Sequence, residues 1–259
     1  MIEKLYQQCI ELTNKRWSSV VLQKAVTSSF SKRMISSYSK VYDINVAEVS
    51  KPLEEFTSLH DFFTRELQED ARPIDAGDAL VSPVDAKVES FGHITDDMIF
   101  TVKGKAYRLE DLLGNEQRAN AYRNGRYIVF YLSPADYHRM HSPVDAHVVR
   151  QYVLGQNSYP VNETGLTFGK KPLSHNYRMV TQLQVASGVQ MDFIKVGAMF
   201  VNSIALTNTS NEWVRGEEVG YFTFGSTVVM LFEQETVEFT ENVVQGSMIR
   251  MGTAFANML

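Results

Sequence analysis

The sequence predicts an α+β protein in which a helical N-terminal region precedes a mainly antiparallel β body. Two observations carry this prediction. Apolar residues in the first part of the chain recur at spacings of three and four, as they do on one face of a helix. From about residue 80 the chain becomes a series of short β-branched and aromatic stretches separated by Gly, Pro, Asn and Asp. We therefore divide the chain into a helical region at 1–70, with a membrane-docking role considered below, and a β-rich body at 71–259.

The helical region begins with a basic amphipathic segment. Its apolar stripe includes Leu5, Ile10 and Trp17. The first 40 residues carry seven Lys or Arg and two Glu, a net charge of +5, whereas the whole chain of 259 residues has a net charge of −5. Such a helix can pack on the protein with its charges in water, or lie in a membrane interface. Periodicity alone favours packing on the protein.

A second helix is predicted further along, where Ser58 stands before an apolar pattern at Leu59, Phe62, Phe63 and Leu67. Serine is a preferred N-cap residue because its hydroxyl accepts a hydrogen bond from the first turn. After this helix, strand-like segments are predicted from residue type and from the turn residues that bound them. These segments lie near 80–91, 98–108, 126–133, 146–154, 177–187, 190–206, 219–232 and 236–251.

Composition excludes several classes of protein. Apolar residues make up 44% of the chain and charged residues 21%, which excludes a disordered tail or a coiled-coil rod. The single cysteine, Cys9, cannot form an internal disulfide. The negative net charge argues against nucleic-acid binding, and no apolar run approaches the roughly 18 residues that span a bilayer. No Gly-rich phosphate loop or metal-ligand spacing occurs, so we predict no metal site.

Two polar segments could contribute acid–base chemistry. Ser82–Asp85 places a carboxylate directly after a proline turn, where it can orient a neighbour or simply cap the turn. Ser133–Pro143 follows an apolar strand and contains His138 and His141, side chains whose ordinary pKa suits proton transfer near neutrality. Both histidines can equally be structural. Asp136 in the same segment is a weaker candidate that can serve only to support the turn.

A third segment joins Gly225 and Ser226 between two apolar, strand-like runs. Glycine permits strained or left-handed backbone geometry, and a serine that follows it can attack its own preceding carbonyl. The alternative is a bulge glycine followed by an ordinary serine. The residues of this segment alone favour that alternative.

Taken together and in this order, the segments resemble the phosphatidylserine decarboxylase family, in particular its compact bacterial members. The resemblance covers most of the chain. Two positions depart from the family pattern: Ala86 stands where glycine is usual, and Phe224 stands where leucine is frequent. The matching segments are Phe63–Arg65, Arg72–Ile74, Ser82–Asp85, Tyr137–Pro143, Tyr159–Asn162, Val196–Ala198, Asn202–Ile204 and Phe224–Thr227.

The resemblance implies a precursor that cuts itself between Gly225 and Ser226. The pieces 1–225 and 226–259 would form a heterodimer, and Ser226 would become a covalent pyruvoyl group, the only cofactor. In this reading Asp85, His141 and Ser226 form the self-cleavage triad, with His141 as the base that Asp85 orients. The pyruvoyl carbonyl would bind the substrate amine as an imine and accept the electrons left when CO2 departs. His138 would then be the proton donor or a substrate contact.

The implied reaction converts phosphatidylserine to phosphatidylethanolamine in phospholipid biosynthesis. An anionic lipid substrate gives the basic segment at 1–40 a purpose, so we expect it to dock the enzyme peripherally on the cytoplasmic face of the membrane. Other hypotheses for the function remain open. They are a pyruvoyl decarboxylase of a soluble amino acid, a serine hydrolase built on the same three residues, and a non-enzymatic β-rich phospho-carrier or binding module.

Overall fold

The computed structural model describes residues 23–198 and 203–259, with the side chain of Thr164 left out. The predicted amphipathic stripe at 2–21 lies outside the described residues. Residues 23–27 are helical, and two further helices follow, α1 at Ile35–Val41 and α2 at Leu59–Phe63. Single turns of 3-10 helix connect these elements, at Ser29–Met34, Val46–Glu48, Leu53–Glu55 and Glu69–Ala71.

The predicted cap of α2 is confirmed. The Oγ of Ser58 accepts a hydrogen bond from the backbone N–H of Asp61 at 3.1 Å. Leu59, Phe62 and Phe63 are buried, although the helix ends before Leu67. The helical region has a small apolar core of its own, and Phe224 of the β body packs against it. The helical region is therefore in direct contact with the chain that leads into Ser226.

The β body contains sixteen strands and four short helices within the described residues. The strands are β1 Leu80–Val81, β2 Ala86–His93, β3 Ile99–Val102, β4 Lys105–Arg108, β5 Arg126–Leu132, β6 Arg139–His141, β7 Ala146–Leu154, β8 Arg178–Gln184, β9 Gln190–Gly197, β10 Ile204–Leu206, β11 Glu212–Trp213, β12 Glu218–Phe222, β13 Ser226–Phe232, β14 Val237–Phe239, β15 Met248–Ile249 and β16 Ala254–Met258. The helices are α3 Leu109–Leu113, α4 Glu116–Ala121, α5 Glu163–Phe168 and α6 Pro172–His175.

The strands form one large sheet and three small ones. The large sheet has eight strands in the order β11-β7-β8-β9-β13-β5-β2-β15, and each of its neighbouring pairs is antiparallel. The smaller sheets have the orders β1-β16-β14, β10-β12-β6 and β3-β4. The predicted α+β class with a mainly antiparallel body is therefore confirmed. None of the helices within 23–198 and 203–259 has the length and apolar character needed to span a bilayer.

Strand β13 lies at the centre of the large sheet, and all seven of its residues are buried. Side chains alternate between the two faces of a strand, so Val228 belongs to the apolar core on one face and Val229 to the core on the other. At the first position of the strand, Ser226 pairs with Leu132 of β5 and with Gly197 of β9. The sheet thus holds Ser226 firmly while leaving Gly225 in the loop before it.

A buried lysine stands in this core, two pairs along the ladder from Ser226. Lys195 pairs with Val228 and is fully buried, and its Nζ donates a hydrogen bond to Thr181 Oγ1 at 2.6 Å. The amine lies over the rings of Phe193 and Trp213, at 4.2 and 5.3 Å from their centroids. No carboxylate forms a salt bridge with it among the described residues. Burial lowers the pKa of Lys195 from 10.5 to about 7.

We expect Lys195→Met to stabilise the protein below about pH 7 by roughly 2 to 4 kcal/mol. Below that pH both folded and unfolded chains carry the proton, so the cost of burying the charge is present in full. Between about 7 and 10.5 the folded chain has released a proton that the unfolded chain still holds. The free energy of unfolding of the unsubstituted protein therefore rises with pH across this window.

Chemical denaturation at several pH values between about 6 and 10 measures both effects. The advantage of the methionine variant should shrink as pH rises, and the exposed Lys24→Met should show neither effect. A methionine variant that is less stable than the parent below pH 7 would contradict this account of Lys195.

Candidate active site

The site centres on the peptide bond between Gly225 and Ser226. Ser226 is fully buried, and its Oγ has no hydrogen-bond partner within residues 23–198 and 203–259. The carbonyl oxygen of Gly225 accepts a hydrogen bond from the backbone N–H of Ala198 at 2.9 Å. This bond continues the ladder between β13 and β9 by one step beyond the end of the strand. A donor at this position would also stabilise negative charge that develops on the carbonyl oxygen during nucleophilic attack.

Gly225 does not use the left-handed geometry that a glycine permits. Its φ lies outside the left-handed region, and among the described residues a Cβ built on it would meet only the Cβ of Ala198, at 4.0 Å. Neither backbone conformation nor crowding by the described residues therefore explains the glycine. Because glycine carries no side chain, it adds no atoms beside the carbonyl that adjoins the Ser226 hydroxyl.

His138 contributes an imidazole nitrogen that is free. The side chain is fully buried, and its Nδ1 contacts the backbone carbonyl of Asp136 at 2.9 Å. A carbonyl only accepts, so Nδ1 carries the proton and Nε2 presents a lone pair. This Nε2 is buried and has no hydrogen-bond partner in the part of the chain that the structure describes. Burial and the nearby charge of Arg65 lower the pKa of His138 to about 3, so the ring is neutral at physiological pH.

Phe63 connects His138 to the chain that leads into the scissile bond. Its ring lies 4.0 Å from the imidazole centroid and is stacked on Phe224, 5.2 Å away. Phe63 belongs to α2, so the helical region supplies one wall of the site. Asp136 supports the turn before His138, since its carboxylate accepts a hydrogen bond from the Ser133 N–H at 2.6 Å. Burial raises the pKa of Asp136 to about 6.

His141 has partners at both ring nitrogens. Its Nδ1 contacts the Gly216 carbonyl at 2.8 Å, and its Nε2 lies 3.1 Å from the hydroxyl of Tyr137. The carbonyl fixes the proton on Nδ1, so Nε2 accepts from the tyrosine. Burial lowers the pKa of His141, while the Gly216 carbonyl and the charges of Glu218 and Asp85 act in the opposite direction. The imidazole therefore has the tautomer that a base at Nε2 requires.

Asp85 is held by an arginine that the sequence interpretation did not assign to the site. Arg72 Nε lies 2.9 Å from both carboxylate oxygens, and the Met251 N–H donates to Oδ1 at 2.8 Å. Both Asp85 and Arg72 side chains are about nine-tenths buried. Arg72 also forms a salt bridge with Glu48 at 2.8 Å. The guanidinium and the Met251 N–H thus replace the hydrogen bonds with water that the buried carboxylate has lost.

The three residues of the predicted triad are not joined by hydrogen bonds in this structure. Asp85 bonds to Arg72 and Met251, His141 bonds to Gly216 and Tyr137, and Ser226 Oγ is unpaired. Asp85 is nevertheless close enough for its charge to act on the pKa of His141. The backbone N–H of His141 donates to the carbonyl of Pro83, two residues before Asp85. Their roles in the triad stay a prediction.

We expect Arg72→Met to destabilise the protein by about 3 to 5 kcal/mol, because the buried Asp85 carboxylate would lose its main partner. Urea denaturation measures the change. Arg250→Met is the matched control: Arg250 contacts the same cluster through Glu48 at 3.6 Å, but its side chain is 66% exposed. Exposed ion pairs contribute little, so this variant should lose less than about 1 kcal/mol. Equal losses in the two variants would contradict the importance of the Asp85–Arg72 pair.

Comparison with known proteins agrees with this geometry. A family profile described as phosphatidylserine decarboxylase matches residues 59–257. Two relatives are each named phosphatidylserine decarboxylase proenzyme, from Bacillus thuringiensis (strain Al Hakam) and Bacillus cereus (strain 03BB102). Each is 47% identical over 260 residues, which covers 100% of this chain and 99% of the relative. This chain therefore belongs to the phosphatidylserine decarboxylase family, whose members are carboxy-lyases of phospholipid biosynthesis that convert phosphatidylserine to phosphatidylethanolamine.

Proposed function

We propose that this chain is a proenzyme that cleaves itself between Gly225 and Ser226 and so converts Ser226 into the pyruvoyl group with which it decarboxylates phosphatidylserine. The observation that carries the proposal is the buried, unpartnered Ser226 hydroxyl beside a carbonyl that already accepts an N–H. A nucleophile and its electrophile are adjacent in the chain, and a donor for the developing oxyanion is in place.

The cleavage balances with the addition of one water molecule. Ser226 Oγ attacks the Gly225 carbonyl carbon, and the carbon–nitrogen bond breaks, which leaves an ester and a free amine at residue 226. Loss of the Cα proton of residue 226 then breaks the bond between Cβ and the ester oxygen. Gly225 leaves as a carboxylate. The remaining enamine takes up a proton at Cβ, and water replaces its nitrogen, which is released as ammonia. Residue 226 is left with a ketone.

In this proposal His141 takes the hydroxyl proton of Ser226, and Asp85 stabilises the imidazolium that results. The lone pair required of such a base is at Nε2, which accepts from the hydroxyl of Tyr137 and would exchange that partner for the hydroxyl of Ser226. The Asp85 carboxylate supplies a fixed negative charge because Arg72 and the Met251 N–H hold it in the interior. A charge held in this way favours protonation of a nearby histidine without itself taking the proton.

The surroundings of residue 226 fit a pyruvoyl group. The side chain, whose Cβ becomes the methyl group, is buried, and the backbone of residue 226 is held by strands on both sides. When present, the group supplies an electrophilic carbonyl that binds an amine and accepts the electrons released with CO2. We assign the proton transfer to His138: neutral, and with no hydrogen-bond partner for Nε2 among the described residues, it can accept a proton from the substrate ammonium and return it to the α-carbon.

The two pieces of the cut chain should stay together as a heterodimer. The smaller piece begins with β13, which is hydrogen-bonded along its whole length to β5 and to β9 of the larger piece. It also carries β15, paired with β2, and β16, paired with β1. Separation would expose the core of the main sheet, which costs far more than the cut releases.

Chemical reduction of the ketone at residue 226 tests the proposal. Treatment of the active protein with borohydride should reduce the ketone at residue 226, adding the mass of two hydrogen atoms to the fragment 226–259 and abolishing CO2 release. Retention of full activity after reduction, with no change in the mass of that fragment, would overturn the proposal.

We also propose that the helical region docks the enzyme on the cytoplasmic leaflet. Phe30, Met34 and Val41 lie at helical spacing and are 70%, 52% and 76% exposed. The exposed cations Lys24, Lys32, Arg33 and Lys40 lie along the same stretch of chain. Apolar side chains flanked by cations bind interfaces that contain anionic lipid. The same region contributes Phe63 to the site, so docking here would bring the lipid head group close to Ser226.

Substitution of Phe30 and Met34 by serine should weaken vesicle binding about tenfold, because these side chains would no longer leave water on docking. Flotation with phosphatidylserine-containing vesicles measures the bound fraction. Phe168→Ser is the matched control, since Phe168 is also 70% exposed but belongs to the β body. Equal binding by the double variant and the unsubstituted protein would contradict docking through this face.

A further inference from the structure

Apart from Thr227 Oγ1, which projects from the opposite face of β13, three buried polar atoms near the scissile bond lack hydrogen-bond partners among the described residues. They are Ser226 Oγ, His138 Nε2 and the Oγ of Ser203, a residue to which neither the sequence interpretation nor the proposed mechanism gives a role. Ser203 is fully buried. Buried polar atoms are almost always hydrogen-bonded. Three such atoms without a hydrogen-bond partner in one region therefore point to groups that act on a reacting atom.

The position of Ser203 relative to Ser226 follows from Gly197. A Cβ built on Gly197 would lie 1.9 Å from Ser203 Oγ. The serine hydroxyl therefore occupies the place of the missing Gly197 side chain. Gly197 is paired directly with Ser226 in the antiparallel ladder. Directly paired residues project their side chains on the same face, with Cβ atoms about 4.5–5.5 Å apart. Ser203 Oγ thus stands where the cross-strand neighbour of the Ser226 side chain would be.

Backbone contacts fix this arrangement from two sides. The carbonyl of Ser203 accepts the N–H of Thr223, three residues before Ser226, at 2.8 Å. Asn176, fully buried, donates from its side chain to the Gly197 carbonyl at 2.9 Å. Ser203 is therefore tied to the segment that enters the scissile bond, and its neighbour Gly197 is held separately by Asn176.

We propose that Ser203 is a catalytic residue of self-cleavage, whose hydroxyl hydrogen-bonds to Ser226 Oγ and holds it in the rotamer from which it attacks the Gly225 carbonyl carbon. Rotation about χ1 brings the two hydroxyls together. Each hydroxyl can donate and accept, so the bond forms while the Ser226 lone pair still faces the carbonyl. The inference rests on the proposed cleavage between Gly225 and Ser226 and adds the group that orients its nucleophile.

The same geometry explains why residue 197 is a glycine. Any side chain there would displace the Ser203 hydroxyl, because the two would occupy one position. Gly197→Ala should therefore impair cleavage through Ser203, even though residue 197 itself carries no reactive group.

The test is the rate of self-cleavage of freshly synthesised full-length chain, followed as the disappearance of the precursor on a denaturing gel. Ser203→Ala should slow cleavage on the order of tenfold to a hundredfold, the range expected for loss of one hydrogen bond to a reacting atom. Ser203→Cys has a side chain of similar size but a weaker hydrogen-bond donor, so its cleavage rate should lie between those of Ser203→Ala and the unsubstituted chain. Ser174→Ala is the matched control, because Ser174 Oγ is also buried and unpartnered but belongs to α6.

Melting temperatures of the variants separate orientation from folding. The expected result is slow cleavage by a Ser203→Ala chain that melts within a few degrees of the Ser174→Ala chain. Cleavage by Ser203→Ala at the unsubstituted rate would overturn the inference, and so would equal slowing in both alanine variants. An unsubstituted chain that is not cut between Gly225 and Ser226 would instead overturn the proposed function, so the two failures are distinguishable.

Discussion

Ser226→Ala should remain one uncut chain of 29.4 kDa and should release no CO2 from phosphatidylserine. Alanine lacks the oxygen that attacks the Gly225 carbonyl, and it cannot yield a ketone at position 226. Both cleavage and decarboxylation depend on the same atom, so the loss should be complete rather than partial. Denaturing electrophoresis and CO2 release from phosphatidylserine-containing vesicles measure the two effects on the same preparation.

The neighbouring threonine supplies the control for this experiment. Thr227 is also fully buried, and its Oγ1 also lacks a hydrogen-bond partner among the residues described by the structure. Its side chain projects from the opposite face of β13, away from Gly197 and Ser203. Thr227→Val should therefore still cut itself and keep its activity. A Ser226→Ala chain that is cut, or a Thr227→Val chain that is not, would contradict the assignment of the nucleophile.

Substitution of the two histidines should have the second large effect. Loss of His138 should impair decarboxylation, whereas loss of His141 should impair self-cleavage. His138→Asn should cleave itself but lose about a hundredfold to ten-thousandfold in decarboxylation, as expected when a proton-transfer group is removed. Asparagine can keep the hydrogen bond to the Asp136 carbonyl while it lacks the free ring nitrogen. His141→Asn should instead accumulate as uncut precursor, because the proposed base for Ser226 is gone.

Parallel measurement of cleaved fraction and of CO2 release per cleaved chain distinguishes the two roles. If His138→Asn fails to cleave while His141→Asn cleaves normally, the free Nε2 of His138 serves the nucleophile and the two assignments must be exchanged. The structure makes this comparison informative, since His138 has one unpartnered nitrogen and His141 has none.

The architecture could be predicted from sequence where local pattern determines structure. The cap at Ser58 and the apolar runs that became β5 and β13 depend on neighbours in the chain. Strand β6, with three residues, and β16, with five, were not predicted because such short strands show little periodicity. Helices α3 to α6 are only four to six residues long, and packing on the sheet stabilises them.

The site could be predicted only in part. Asp85, His138, His141 and Ser226 stood out through their motifs, but their partners depend on contacts distant in sequence. Met251 donates to Asp85 across 166 positions, and no local pattern reports such a contact. Ser203 was visible as part of a matching segment, yet its placement beside Ser226 depends on the pairing of β9 with β13.

The role of Gly225 could not be predicted from its residue type. A glycine before a serine permits unusual backbone geometry, but its φ lies outside the left-handed region and, within the described part of the chain, a Cβ built there would meet only the Cβ of Ala198. The role we assign to this glycine is to leave its own carbonyl accessible to attack, and secondary-structure propensities do not describe such a role.

Intact mass of the purified, active protein under denaturing conditions tests the central claim most directly. The account predicts two species, 1–225 and 226–259, with the smaller one lighter than its encoded sequence by the replacement of an amine and a hydroxymethyl group with a ketone and a methyl group. A fully active preparation that gives a single mass, that of the unbroken chain with serine at position 226, would contradict it.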